Sequence, residues 1–259
     1  MLFHGDGFCH VLRSQFSNVT VIIKMKNILI TGASSGIGKE CAIQLNLTGH
    51  HLILIGRNEE RLSELCRQLS SAEFHVCDVS KYEEVKNLSH LLSSRGIEID
   101  VLINNAGIGY FNPLISADID EWQEMIHTNI TGVANVIHAF LPSLLKQYGH
   151  VINLGSLASH QVFPNSGIYC ATKHAVLAIS ESLRIEFPGK LRVTTISPGS
   201  VDTPFIMQTK SEEMLKQYKD YFASGLPASL VAEQIIHAIQ APRTSVISEI
   251  IIRPTRQVI

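Results

Sequence analysis

"NILITGASSGIGKE", Asn27 to Glu40, decides the fold. A short apolar run leads into a turn carrying Gly32, Gly36 and Gly38, and a segment of helical period runs on from Ile37 to Leu47, so the order is strand, glycine turn, helix. Glycine lets the backbone turn tightly and approach a ligand closely, and a helix starting right behind the turn presents unpaired N–H groups. Gly32, Ser34, Ser35, Gly36, Ile37 and Gly38 therefore form a candidate phosphate cradle. A turn that simply needs positive φ is the plainer explanation, and the strand before and helix after weigh against it. A P-loop fails at two positions: Ala33 stands where its first glycine belongs, and Lys39 is followed by Glu40 rather than Ser or Thr.

The same rhythm extends along the chain. After "NILIT" come "HLILI" and a helical segment from Glu59 to Leu69, "FHVC" and Tyr82 to Leu92, "VLIN" and Trp122 to Leu145, then "HVINLG" and Tyr169 to Phe187. "LRVTTIS" follows, the pattern loosens from Pro198 to Leu226, a helical stretch covers Leu230 to Ile239, and "EIIIRP" offers a last strand. These strands are apolar on both faces, which marks a parallel sheet covered by helices on each side. The expectation is an α/β chain with one Rossmann-type doubly wound parallel sheet of about seven strands.

Length and composition agree with one domain. The chain has 259 residues, 45% of them hydrophobic, and a net charge of -2, which supplies no basic field for a nucleic acid or an anionic membrane. Runs such as "LILI" are far shorter than the roughly 20 residues of a membrane-spanning helix. Five cysteines without a C-x-x-C pair suggest neither a disulfide framework nor a thiolate zinc site and fit a reducing cytoplasm. The twelve histidines show no H-E-x-x-H spacing, so no metal is expected. Residues 1–24 lack the features of a secretory signal, and the internal Met25 opens the first clear strand. The expected division is a dispensable extension at 1–24 and a nucleotide-binding catalytic domain at 25–259, the alternative for the extension being an extra edge strand in "NVTVII".

The second strand ends in Gly56 and Arg57. An acid at that place would hold the ribose 2′-hydroxyl of NAD, whereas an arginine suits the 2′-phosphate of NADP, so NADP(H) is favoured and NAD(H) is the alternative. Arg57 could equally begin a solvated helix with Glu59, Glu60 and Arg61. "GIYCATKHAV" places Tyr169 and Lys173 four residues apart, on one helix face, where the ammonium can act on the phenol.

"TGASSGIG", "NNAG" at Asn104 to Gly107, "INLGS" ending in Ser156, "YCATK" and "SPGSVDTP" occur in the order and spacing of the short-chain dehydrogenase/reductase family, which the chain resembles from about Lys26 onward. Ser156 lies thirteen residues before Tyr169, the spacing of the main dehydrogenase branch rather than of the enoyl reductases, and Asn129 in "HTNITG" matches the asparagine that completes the family's catalytic set.

The resemblance implies a reversible hydride transfer between a nicotinamide and a carbonyl or secondary alcohol, and Arg57 makes NADP(H) the expected cofactor. A free tyrosine has a pKa near 10, and an adjacent ammonium and an oxidised nicotinamide would both favour the phenolate. Tyr169 would then be the general acid/base, Lys173 its electrostatic partner and ribose ligand, Ser156 the donor to the carbonyl oxygen, and Asn129 the holder of a water in the proton path. Singly, each has an ordinary reading: a satisfied phenol, a turn serine, a polar residue on a helix. Asp78 and Val79 resemble the adenine contacts, although Asp78 would also serve as a helix cap; Asn105, Ala106 and Gly107 resemble the segment along the ribose; Pro198, Gly199, Val201 and Thr203 resemble the carboxamide loop. Gly155 replaces a serine common in the family, and Cys170 reads as a packing residue.

Substrate choice is expected from Tyr110 and Phe111, from Leu157 to Gly167 with His160 and Phe163, and from a mobile stretch Phe205 to Leu226, an aromatic and aliphatic set suited to a medium-sized ketone or aldehyde. Lys210 is a candidate partner for a carboxylate. Oligomers are usual in the family, so a homodimer or homotetramer is expected, packed through the helices near Trp122 and Tyr169. An NAD-dependent hydroxy acid or polyol dehydrogenase, and a non-catalytic nucleotide sensor of the same fold, remain the alternatives.

Overall fold

The computed structural model describes residues 10–12, 21–23 and 25–257. Seven parallel strands form one sheet: β1 (Asn27–Thr31), β2 (His51–Gly56), β3 (Ala72–Val76), β4 (Val101–Asn104), β5 (His150–Leu154), β6 (Arg192–Pro198) and β7 (Glu249–Ile252). Their order across the sheet is β7-β6-β5-β4-β1-β2-β3. The chain thus winds outward from β1 through β2 and β3, then returns to β4 on the other side, where Ile28 pairs with Val101 and Ile30 with Ile103. The reversal between β1 and β4 opens a crevice at their carboxyl ends, where ligands bind in such sheets.

Alternation within β1 builds the two cores. Ile28 and Ile30 face a cluster with Leu52, Leu54, Val231 and Ile235, whereas Leu29 faces the opposite cluster with Ile53, Val136 and Phe140. On the first face lie α1 (Gly36–Asn46), α2 (Glu59–Arg67) and, in direct contact with α1, the later helix Ala228–Gln240. The second face is covered by α3 (Tyr82–Ser94) and by a long segment after β4.

That segment, expected as one helix from Trp122 to Leu145, is α4 (Ile119–Ile126), a π turn (His127–Gly132) and α5 (Val133–Gln147). The π turn carries Asn129, whose side chain bonds the backbone of Ile108. At Gly132 a Cβ would sit 2.7 Å from Val79 Cγ2, so only glycine allows this close approach. α6 (Gly167–Glu186) follows β5.

Between Pro198 and Leu226 the weak pattern conceals order. A short turn (Pro204–Gln208) precedes α7 (Glu212–Ala223), whose N-cap Ser211 accepts from Met214 N at 3.3 Å, and Val201–Asp202 pairs with Leu226–Pro227 behind it. The remaining helix, Ala228–Gln240, is α8. Val21–Ile23, from the proposed edge strand, pairs antiparallel with His10–Leu12 in a two-stranded ribbon separate from the sheet. The rest of residues 1–24 lies outside the described residues.

Candidate active site

β1 ends at Thr31, and its hydroxyl accepts from the N–H groups of Asn105 and Ala106, both at 2.9 Å. The Asn105 amide in turn donates to Thr31 O and Gly32 O, so the turns after β1 and β4 are bolted together. Gly32 has φ +63°, and a Cβ there would lie 2.8 Å from Ala106 Cα. α1 starts at Gly36 without a side-chain cap, which leaves its first N–H groups to a ligand. Gly32, Ser34, Ser35, Gly36 and Ile37 line a cleft of about 980 Å³ along the carboxyl edge of the sheet, and Asn105, Ala106 and Gly107 line it beside them. Gly38 does not line it: a Cβ at Gly38 would meet Asn105 Nδ2 at 2.4 Å and Gly32 O at 2.6 Å, so this glycine serves packing beneath the cradle.

Arg57 lines the cleft at the end of β2, as expected, and Arg61, one turn into α2, joins it. Asn58 caps α2 by accepting from Arg61 N at 2.9 Å. Asp78 and Val79 also line the cleft. Asp78 is not the cap of α3: that position is Lys81, while the Asp78 carboxylate holds Ser80 N and Oγ.

Ser156 follows β5 directly. Its hydroxyl accepts from Ala158 N at 3.1 Å, and its N–H donates to Ser159 Oγ at 3.1 Å, a reciprocal pair that fixes the side chain. A Cβ on Gly155 would lie 2.7 Å from Ser197 Oγ, so a larger residue here is crowded. Ser197 itself donates to Glu249 on β7. Beside it, α6 presents Tyr169 and Lys173, with the ammonium 5.9 Å from the phenol ring centre. Lys173 Nζ donates to Leu154 O at 2.7 Å, and burial pulls this ammonium down to about 8. Burial pushes the Tyr169 phenol up, with the Ser156 hydroxyl acting in the opposite direction.

Asn129 sits in the π turn after α4. It is 1% exposed and does not line the cleft; its Nδ2 donates to Ile108 O and Thr172 Oγ1, and its Oδ1 accepts from Ile108 N. A Cβ at Gly107 would be 3.3 Å from Asn129 Oδ1 and 3.6 Å from Lys173 Nζ, so Gly107, Asn129 and Lys173 meet at the site.

Pro198, Gly199, Val201 and Thr203 line the cleft after β6. Sequence reasoning missed Gln257 beside them: its Oε1 accepts from Ser200 N, and its Nε2 donates to Tyr221 on α7 at 2.7 Å. The other end of the cleft is aromatic. Phe111 lies 5.9 Å from Tyr169, 6.2 Å from Phe205, 5.4 Å from Tyr218 and 5.7 Å from Phe222, ring centre to ring centre. Tyr218 and Phe222 belong to α7, which the stretch named as mobile hid; Ser211, Glu212 and Glu213 are the start signal that reveals it. Three residues named for substrate choice stand elsewhere. The Tyr110 hydroxyl turns to Glu124, His160 pairs with Glu249 at 2.8 Å, and Lys210 faces Asp118 and Glu121 at 3.5 and 3.8 Å.

The family model for short chain dehydrogenases matches residues 26–214, which include the cradle, Ser156, Tyr169 and Lys173. The chain belongs to the short-chain dehydrogenase/reductase family. It is an oxidoreductase with the NAD(P)-binding Rossmann fold of that family. An uncharacterised oxidoreductase of Staphylococcus saprophyticus is 39% identical over 241 residues, covering 91% of this chain and 98% of its own. Among solved structures, an alcohol dehydrogenase from the archaeon Thermococcus sibiricus complexed with 5-hydroxy-NADP is 32% identical, with a TM-score of 0.81 over 90% of this chain and 98% of that one. A serine dehydrogenase in closed form with NADP+ is 30% identical, with a TM-score of 0.83 over 90% and 96%. A family member from Burkholderia phymatum in complex with NAD is 27% identical, with a TM-score of 0.80 over 88% of both chains. Among the described residues no helix is long and apolar enough to cross a membrane.

Proposed function

We propose that the protein is an NADP(H)-dependent carbonyl reductase and alcohol dehydrogenase. The observation that carries this reading is the meeting of Ser156, Tyr169 and Lys173 on one wall of the cleft whose opposite end is the uncapped start of α1. The residues fit a nicotinamide dinucleotide. Free N–H groups of α1 would take its pyrophosphate, Arg57 and Arg61 the 2′-phosphate, Asp78 and Val79 the adenine, and the Pro198–Thr203 loop the carboxamide. The bound cofactor would supply the hydride. The two arginines, with no carboxylate at the end of β2, favour NADP(H) over NAD(H).

The chain's own groups handle the proton. Ser156 Oγ accepts from Ala158 N, so its own hydrogen is left to donate to a carbonyl oxygen. Burial holds Tyr169 as a neutral phenol, the form that gives a proton to the alkoxide as it develops. Lys173 spends one of three N–H bonds on Leu154 O, which leaves two for ribose hydroxyls. Asn129 locks Ile108 and thereby the segment against which Lys173 lies. The catalytic unit is residues 25–259, with 1–24 dispensable, and its assembly is a dimer or tetramer through α4, α5 and α6.

The test is a fluorescence titration with NADPH and NADH, followed by turnover of a carbonyl panel by wild type and Tyr169→Phe. NADPH should bind the more tightly, and Tyr169→Phe should keep that binding while losing about 10²- to 10⁴-fold in kcat, the usual scale for a positioned acid. Equal turnover by both proteins would remove Tyr169 as the acid. Binding without turnover on any substrate would favour the nucleotide-sensor alternative.

A further inference from the structure

From the distribution of charge along the cleft we infer that the substrate is a neutral aryl ketone or its alcohol, and that carboxylate-bearing hydroxy acids are excluded. This rests on the reductase reading and names its substrate class. Among the described residues, the charged side chains lining the cleft are Arg57, Arg61, Asp78 and Lys173. Arg57 and Arg61 stand at the start of α2 and Asp78 follows β3, none of them in the aromatic cluster around Phe111, and Lys173 donates one N–H to Leu154 O. Lys210, the candidate partner for a carboxylate, does not line the cleft and already faces Asp118 and Glu121.

What surrounds the reacting end is apolar surface and polar groups already engaged. Phe111 is the hub, edge-on to Phe205 and Phe222 and tilted against Tyr169 and Tyr218, with Phe163 and Met207 completing the wall. The Tyr218 hydroxyl donates to Pro164 O and accepts from Asn165 Nδ2, the Tyr221 hydroxyl accepts from Gln257, and the Ser166 hydroxyl donates to Phe163 O. Gln208 adds a neutral amide. An anion entering this end would give up its water for aromatic faces, whose electron density repels it, and would find no cation beyond Lys173, whose remaining N–H groups go to the ribose. A flat ring, in contrast, meets a wall whose own rings already pack edge-to-face at 5.7 and 6.2 Å and tilted at 5.4 Å. Aromatic selectivity and rejection of acids follow from the same wall.

Ethyl benzoylformate and benzoylformate carry the same aryl ketone and differ by one negative charge. Calorimetric titration of each into the Tyr169→Phe protein, with saturating NADP+ and again without nucleotide, should give an ester at least tenfold tighter than the acid. Wild type with NADPH should show a kcat/KM ratio of at least a hundredfold in the same direction. Met207→Lys, at an exposed lining position, should bring the acid to within a few-fold of the ester. Acid binding equal to or tighter than the ester, or binding of neither, overturns the inference. Turnover that does not depend on Tyr169 would instead count against the reductase reading, and the binding ratio would still decide the substrate class.

Discussion

At the residue scale, Gly155 and Lys173 show how little room the site leaves. Gly155 departs from a serine common in the family, and the reason is visible only in three dimensions: Ser197 Oγ and Ser159 Oγ lie 2.7 and 3.1 Å from where a Cβ would stand. Gly155→Ser should therefore destabilise by about 1–3 kcal/mol through overpacking, and a second change, Ser197→Ala, should return part of that loss. Thermal melts of the two variants check it, and a single variant as stable as wild type would contradict the packing argument. Lys173 is an ammonium held at about 8 by burial. Anionic NADPH binds better when Lys173 is charged, so binding raises its pKa, and affinity should fall as pH rises through about 8 by up to roughly tenfold per pH unit. Lys173→Met should bind NADPH more weakly at pH 7 and show a flatter profile above pH 8. Titrations between pH 7 and 10 separate the two.

At the scale of elements, strands were the most legible. "NILIT", "HLILI", "VLIN" and "HVINLG" are apolar on both faces because helices cover both faces of the sheet, and each became a strand within a residue or two of its reading. The π turn at His127–Gly132 left no trace, since one extra residue in a helix barely disturbs its period. α7 escaped because its apolar side is a few aromatics turned to the cleft rather than a stripe facing the core, although Ser211 and two glutamates announced its start. Gln257 was illegible because its role depends on the chain end returning to the loop after β6. α2 carries a prediction of its own. Arg57 precedes its cap and Arg61 sits one turn later, both at the cleft. If they hold a 2′-phosphate, replacing both by alanine should weaken NADPH binding about 10- to 100-fold, since each charge-assisted bond is worth about 1.5–3 kcal/mol and exposure lessens it, and NADH binding should barely change. Equal losses for both nucleotides would mean that the arginines only shape the helix start.

At the scale of the whole molecule, the edge of the sheet opposite the cleft governs acid stability. His50 and His150 are buried there, 6% and 1% exposed, beside Lys26 and Arg192. His150 shares a hydrogen bond with Thr194 Oγ1 at 2.8 Å, while the Nδ1 atoms of both rings are buried without a partner. Burial, reinforced by the neighbouring cations, lowers His50 to about 4 and His150 to about 3. Both rings are therefore neutral in the fold, whereas the unfolded chain takes up protons below about 6.5. Because the unfolded state binds more protons between those limits, stability is full above about pH 6.5 and declines as pH falls toward the folded values. At pH 5 the loss reaches up to about 2 kcal/mol for each histidine, from 1.5 pH units at about 1.36 kcal/mol each. Urea unfolding at pH 7 and pH 5 should show a lower midpoint at pH 5, and the double variant His50→Gln, His150→Gln should narrow that difference by more than it lowers stability at pH 7. If the difference is unchanged in the double variant, the acid sensitivity belongs to the carboxylates, and the two rings are spectators in a sheet edge whose charge is set by Lys26 and Arg192.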